Sequence, residues 1–193
     1  PVCGGIGLGA QHSKSLEAWF VHVPGIKVVM PSSPADAKGL LKSAVRDGNP
    51  VLFLEHRLLY AQTGPVPDEE YLVPLGSAEI KRTGSHLTVV ATGRTVSMTL
   101  SVADKLSKRG IEIEVVDPRT LKPLDRSTVS ESVRKTHRLV VVNDGWCTCG
   151  YASEIMATVI EDCFWDLDAP IKRVCNKDVP MPVAASLEKT AMV

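Results

Sequence analysis

Net charge is the first thing this chain lacks. Its 193 residues set 22 lysines and arginines against 22 aspartates and glutamates. That balance removes the electrostatic case for nucleic acid or an anionic membrane as a partner. Long apolar runs are missing too, and none reaches the ~20 residues of a bilayer span. The start, Pro1-Val2-Cys3-Gly4-Gly5, has neither the basic stretch nor the apolar stretch of a signal peptide. It also lacks Met, so processing or truncation ahead of Pro1 is expected. The five cysteines, Cys3, Cys147, Cys149, Cys163 and Cys175, are an odd number. An odd count argues against a disulfide framework and for a reducing compartment. Cys147-Thr148-Cys149 is too tight for a zinc knuckle, and two incidental thiols in a turn are its simpler reading. No G-x-S-x-G, P-loop or H-E-x-x-H occurs. Neither His22, His56, His86 nor His137 has a partner at metal-ligand spacing.

What remains is an ordinary globular composition, 44% apolar and 23% charged. A helix is expected at about Lys14 to His22, then a strand at Ile26 to Met30. Ser33 caps the next helix, with Pro34 at its first position, and Asp47-Gly48-Asn49-Pro50 ends it. Val51 to Leu54 is a buried strand. Ala61 to Glu70, rich in Pro, Gly and acids, reads as an exposed linker. Beyond it come strands at Leu87 to Ala91, Ile111 to Val116, Leu139 to Val142 and Ile171 to Cys175. They alternate with helices at Val96 to Lys108, Leu124 to Lys135 and Tyr151 to Glu161. The alternation predicts an α/β fold with a parallel sheet covered on both faces. Residues 1–60 read as the C-terminal part of one domain, 61–77 as a linker and 78–193 as a second α/β domain.

Two constellations carry chemistry. Gly4, Gly5, Gly7 and Gly9 precede Ala10-Gln11-His12-Ser13. Glycines allow sharp bends and close approach, and Ser13 as an N-cap would set His12 at a helix start. There the dipole disfavours an imidazolium, leaving a neutral ring able to accept a proton. Gly5-Ile6-Gly7-Leu8-Gly9-Ala10 also fits G-x-G-x-x-G/A, but it lacks the preceding strand and the following acid of a dinucleotide site. The second constellation is Ala44-Val45-Arg46-Asp47-Gly48-Asn49. The free carbonyls of Ala44 and Val45 at a helix end, with Asp47 and Asn49, make a hard-oxygen cluster suited to an alkali or alkaline-earth cation. On spacing alone a plain helix stop is the simpler reading. Asp117-Pro118-Arg119-Thr120 ends a strand, where either a crevice residue or a structural salt bridge fits.

Several blocks together resemble one family. They are Ala10-Gln11-His12-Ser13, His22-Val23-Pro24-Gly25-Ile26-Lys27-Val28-Val29, Asp36-Ala37-Lys38-Gly39-Leu40-Leu41, Arg46-Asp47-Gly48-Asn49-Pro50-Val51, Val116-Asp117-Pro118-Arg119-Thr120-Leu121-Lys122-Pro123, Leu167-Asp168-Ala169-Pro170 and Asp178-Val179-Pro180-Met181-Pro182. The chain is similar over essentially its whole length to the beta subunit of the thiamine diphosphate-dependent decarboxylase component of 2-oxo acid dehydrogenase complexes. The pyruvate-specific members match best.

The resemblance implies a pyrimidine-binding, transketolase-like domain followed by a transketolase C-terminal-like domain. It implies oxidative decarboxylation of pyruvate, transfer of the acetyl group to a lipoyl group, and supply of acetyl-CoA after glycolysis. Branched-chain 2-oxo acid or acetoin dehydrogenase beta subunits are the alternatives within that family. His12 aligns with the active-site histidine, and Ala44, Val45, Asp47 and Asn49 with a structural potassium site. Thiamine diphosphate is shared with an alpha subunit in an α2β2 heterotetramer, and that subunit carries the magnesium ligands. The activating Glu lies upstream of this chain, so the chain alone is expected to be inactive. A lipoyl acyltransferase component docks through its peripheral subunit-binding domain. The implied compartments are bacterial cytoplasm, plastid stroma or mitochondrial matrix. Cys149, followed by Gly150, stands where the family usually has the first of two glycines. Two other readings remain open: a non-catalytic assembly module docking the acyltransferase core, and a transketolase or deoxyxylulose-phosphate synthase relative.

Overall fold

The computed structural model describes residues 4–193; Cys3 lies outside them. A helical turn α1 (Gly9–His12) and a short helix α2 (Glu17–His22) precede strand β1 (Lys27–Val29), helix α3 (Pro34–Arg46) and strand β2 (Val51–Phe53). After a 3-10 turn at Arg57–Ala61 come β3 (Glu79–Arg82), β4 (Leu87–Ala91), α4 (Thr95–Ser107), β5 (Ile113–Asp117) and β6 (Thr120–Lys122). The chain continues through α5 (Arg126–Thr136), β7 (Leu139–Trp146), α6 (Tyr151–Cys163), a 3-10 turn at Phe164–Asp166, β8 (Lys172–Asn176) and α7 (Ala185–Ala191).

The capping chemistry of α3 is as expected. Ser33 Oγ accepts from the Asp36 amide at 3.1 Å, behind Pro34 at the first turn. Asp125 caps α5 the same way, accepting from the Thr128 amide at 3.1 Å.

The five-stranded sheet runs β3-β5-β4-β7-β8, parallel except for the antiparallel edge strand β3. One core cluster gathers Val90, Val116 and Val141 with Val129, Val133, Ile155 and Val159 of α5 and α6. A second gathers Val89 and Val115 with Ala103 of α4. Successive strand residues point to opposite faces, so α4 covers one face and α5 with α6 the other.

The smaller sheet runs β2-β1-β6. β1 pairs parallel with β2 and antiparallel with β6, which belongs to the second half of the chain. The two halves therefore share a sheet. The sequence reading missed β3, β6 and α7, and it ended β7 at Val142, four residues short of Trp146. β3 and β6 are short, and neither shows the apolar alternation of a half-buried strand.

The segment expected as an exposed linker is exposed through Glu70, but it is tied down. Tyr71 donates to the Ala35 carbonyl at 2.8 Å, and Ser43 donates to the Val73 carbonyl at 2.6 Å. Arg46 pairs with Glu70 from the acidic run. Gly39 permits this contact, since a Cβ there would sit 2.5 Å from Val73 Cγ2.

Candidate active site

The glycine run is a bent loop laid on the C-terminal segment. Gly5, Gly7 and Gly9 have φ of +83°, +68° and +66°, a region side chains rarely enter. The amides of Gly5 and Gly7 each donate to the carboxylate of Glu188, at 2.9 Å. Glu188 stands on α7 and is buried. The loop leads into α1, whose last residue is the exposed His12. No hydrogen bond reaches the His12 ring from the described residues.

One expectation is corrected here. Ser13 closes α1 by donating its amide to the Gly9 carbonyl at 3.1 Å, and Leu16 precedes α2. Ser13 is thus not an N-cap, and His12 ends a helical turn instead of starting one. The dipole ground for a neutral ring is absent. Ser13, at φ of -116° and ψ of 57°, leaves the helical conformation, and three residues separate it from α2.

Behind this loop lies a buried polar seam between the two halves of the chain. Glu17, the first residue of α2, is 1% exposed, and its Oε2 has no hydrogen-bond partner among the described residues. Burial raises its pKa, and the charge of Asp144 adds to that, against hydrogen bonds from its own backbone and Asn143. Asp144 is paired with Arg94 at 2.8 Å, and burial raises its pKa also. His56 Nε2 lies 3.5 Å from Asp144, while its Nδ1 accepts from the Leu58 amide at 3.2 Å. The accepting Nδ1 leaves the proton on Nε2 in a neutral ring. Burial, with Arg94 nearby, depresses the His56 pKa to about 4.

A second seam crosses from α3 to the larger sheet. Asp36 is bound by Lys81 at 2.7 Å and Arg119 at 3.3 Å, and both cations also reach Glu79. Burial alone would raise the Asp36 pKa, but the Lys81 and Ser33 hydrogen bonds with the two cations hold it below its ordinary value. Arg119 also donates to the carbonyls of Ser77 and Ala78 at 3.0 to 3.2 Å. The Asp117-Pro118-Arg119-Thr120 turn is therefore a salt-bridged joint. Asp117 accepts from Ser32 at 2.5 Å and from the Arg119 amide at 2.9 Å, yet full burial lifts its pKa to about 7.

At the end of α3 the Asp47 amide donates to the Ala44 carbonyl at 3.3 Å. No described donor reaches the Val45 carbonyl. Asp47 Oδ1 accepts from the Asn49 amide and side chain at 2.9 Å, and its other oxygen pairs with Lys27. The Lys27 hydrogen bond leads in depressing the Asp47 pKa to about 2. Ala44, Val45, Asp47 and Asn49 thus share one turn, which offers a free carbonyl, the outer Asn49 amide oxygen and a committed carboxylate. No group of three or more His, Cys, Asp or Glu side chains among the described residues is placed to hold a metal. The turn's oxygens are largely carbonyls, the hard donors that group-one cations take.

Residues 76–193 match the family described as "Transketolase, C-terminal domain" and residues 1–63 that described as "Transketolase, pyrimidine binding domain". The chain belongs to the transketolase family. Within that family it is 47% identical over 190 residues to the rice protein "Pyruvate dehydrogenase E1 component subunit beta-2, mitochondrial", covering 96% of this chain and 50% of the relative. It is 48% identical to the corresponding mitochondrial subunit of Dictyostelium discoideum, at 96% and 53% coverage. The Rhizobium meliloti subunit is 48% identical, at 96% and 40% coverage. The chain thus spans about half the length of the curated relatives it matches. A solved structure titled "Split gene transketolase, inactive beta4 tetramer" superimposes with a TM-score of 0.77 at 25% identity, over 98% of this chain and 59% of the other.

Cys149 has φ of +52°, a left-handed backbone that glycine adopts freely. His22 ends α2 and His137 caps α5 with φ of +59°. No described helix is long and apolar enough to cross a membrane.

Sequence reasoning missed Glu17, Arg94, Asp144 and Glu188. Asn143-Asp144-Gly145 at the C-terminal end of a parallel strand was a usable signal, since crevices form there. Glu188 offered none, because only the fold carries it back to the glycine loop.

Proposed function

We propose that this chain works as the beta subunit of a thiamine diphosphate-dependent pyruvate dehydrogenase decarboxylase. The observation that carries the reading is the 47–49% identity to pyruvate dehydrogenase E1 beta subunits across 96% of the chain. Residues 1–60 serve as part of the pyrimidine-binding domain, 61–77 as the connecting strap and 78–193 as the C-terminal domain. His12 is the residue contributed to catalysis. An alpha subunit completes the site in an α2β2 assembly and brings the magnesium ligands. A lipoyl acyltransferase component receives the acyl group. The setting is a bacterial cytoplasm or a mitochondrial or plastid interior.

Thiamine diphosphate, when bound, supplies the electron sink that lets a 2-oxo acid lose carbon dioxide. The exposed His12 ring fits a site completed from outside, because nothing described occupies its nitrogens. Its part is to deliver a proton from a ring nitrogen to one sulfur of the lipoyl disulfide as the S–S bond breaks and the other sulfur takes the acyl group, the disulfide being the two-electron oxidant. Glu188 holds the loop that places it. Ala44, Val45, Asp47 and Asn49 would hold potassium at the far end of α3 and stiffen that turn.

The test is co-expression of the full-length protein with an alpha subunit, followed by pyruvate decarboxylation and lipoamide acylation. His12→Ala should lower acylation by about 10²-fold or more; unchanged acylation would remove His12 from the mechanism. For potassium, Asp47→Ala should lower the melting temperature more in potassium chloride than in choline chloride. An equal loss in both salts would show that only the Lys27 pair was removed.

A further inference from the structure

Three cysteines gather at one corner of the larger sheet. Cys147 follows the last residue of β7, Cys149 lies two residues on in the turn to α6, and Cys175 stands on β8. Trp146 pairs with Asn176 across the ends of β7 and β8, so Cys147 and Cys175 flank one paired position. Side chains alternate along a strand, so Cys175 shares its face with Arg173, two residues earlier. Arg173 donates to the Cys147 carbonyl at 2.7 Å and to Ser153 Oγ of α6 at 2.5 Å. Its guanidinium holds the Cys147 backbone over the face that Cys175 occupies. The Cys147 and Cys175 thiols lie within hydrogen-bond reach of each other.

Both thiols are free and both residues partly exposed, while Cys149 is fully exposed. No group of three or more His, Cys, Asp or Glu side chains among the described residues is placed to hold a metal. Two neighbouring thiols without a metal share one chemistry, oxidation to a disulfide. The thiolate is the attacking form. Burial, with Cys147 beside it, raises the Cys175 pKa, which leaves the first attack to Cys147. Only Cys147 has to meet an oxidant; Cys175 has only to meet Cys147.

We infer that Cys147 and Cys175 form a reversible disulfide, made by exchange with a low-molecular-weight disulfide of the glutathione class. The Cys147 thiolate attacks one sulfur of glutathione disulfide. Its S–S bond breaks, a mixed disulfide forms, and the expelled glutathione thiolate takes up the proton that Cys147 lost. The Cys175 sulfur then attacks the Cys147 sulfur and displaces the second glutathione, which leaves with the Cys175 proton. The protein pair gives up two electrons and two protons, and one glutathione disulfide becomes two glutathiones. In reducing compartments disulfides are mostly transient or sensing ones, in keeping with a partly exposed pair. The link ties the β7–α6 turn to β8. Thr148 and Cys149 of that turn border a cavity of about 430 Å³ with Glu17, Trp19 and His22, so oxidation fixes one wall of it. The inference does not depend on the proposed decarboxylase role.

The full-length protein is incubated with glutathione disulfide, quenched with N-ethylmaleimide and digested without reductant for mass spectrometry. The expected product is a peptide pair joined through Cys147 and Cys175, at least about 10-fold above any link through Cys149, and released by dithiothreitol. Cys175→Ser should stop the reaction at the mixed disulfide of Cys147. Cys149→Ser should leave the link unchanged. Wild type joined instead through Cys147 and Cys149 would overturn the inference. So would wild type left reduced, glutathionylated without the Cys147–Cys175 link, or linked equally through all three pairs.

Discussion

Two buried polar seams join the first sixty residues to the rest of the chain, and they are built on opposite plans. In the Asp36 seam each buried acid meets its donors: Asp36 has Ser33, Lys81 and Arg119, and Asp117 has Ser32 and the Arg119 amide. In the Glu17 seam, Arg94 serves Asp144, His56 is neutral and one carboxylate oxygen has no donor among the described residues. A satisfied network rigidifies and specifies geometry. An unsatisfied one carries the cost of an unpaired buried group, about 1–3 kcal/mol. The first seam is accordingly a joint, and the second borders a cavity and lies behind the loop that carries His12.

The sharpest way to break this contrast is at Arg119. Arg119→Ala removes its hydrogen bonds to Ser77 and Ala78 and its pair with Asp36, which keeps Ser33 and Lys81, and should cost about 1–3 kcal/mol in urea unfolding. A loss below 1 kcal/mol would show that the first seam is no better satisfied than the second.

Acidity separates the seams by sign. The His56 pKa is depressed to about 4 from an ordinary 6.5, so the unfolded chain takes up its proton first. Wild type should lose up to about 3 kcal/mol as pH falls from 6.5 to 4, a loss that His56→Gln escapes. Asp117 runs the other way, with a pKa lifted from 3.8 to about 7. Its contribution is full below pH 3.8 and is lost as pH rises through 7, and Asp117→Asn should remove that slope. Parallel pH profiles for His56→Gln and wild type would sink the assignment.

The smallest effect is at the rim of the Glu17 cavity. Cys149→Gly relieves a φ of +52° and should raise stability by about 1 kcal/mol. No change would mean that neighbouring contacts already compensate the strained backbone.

Much was legible because it is local. Ser33-Pro34 before an apolar stripe set the start of α3, and Val89-Val90 and Val115-Val116 marked buried strands by runs that need no distant partner. The His12 loop was legible as a site, but not its geometry. A capping reading of Ser13 depends on which residues continue the helix, and Ser13 itself leaves the helical conformation and ends α1 at His12.

The amino-acid order by itself determined the α/β class, most strand positions in the larger sheet, the turn that ends α3 and the prominence of His12. Those follow from periodicity, caps and breakers acting over a few residues. The tertiary structure alone decided that β6 crosses to the smaller sheet, that Glu188 reaches Gly5 and Gly7 across more than 180 positions, and that Glu17 is buried with an oxygen unpaired. Burial and partnership are properties of packing, and no local pattern encodes which distant donor a carboxylate will meet or miss.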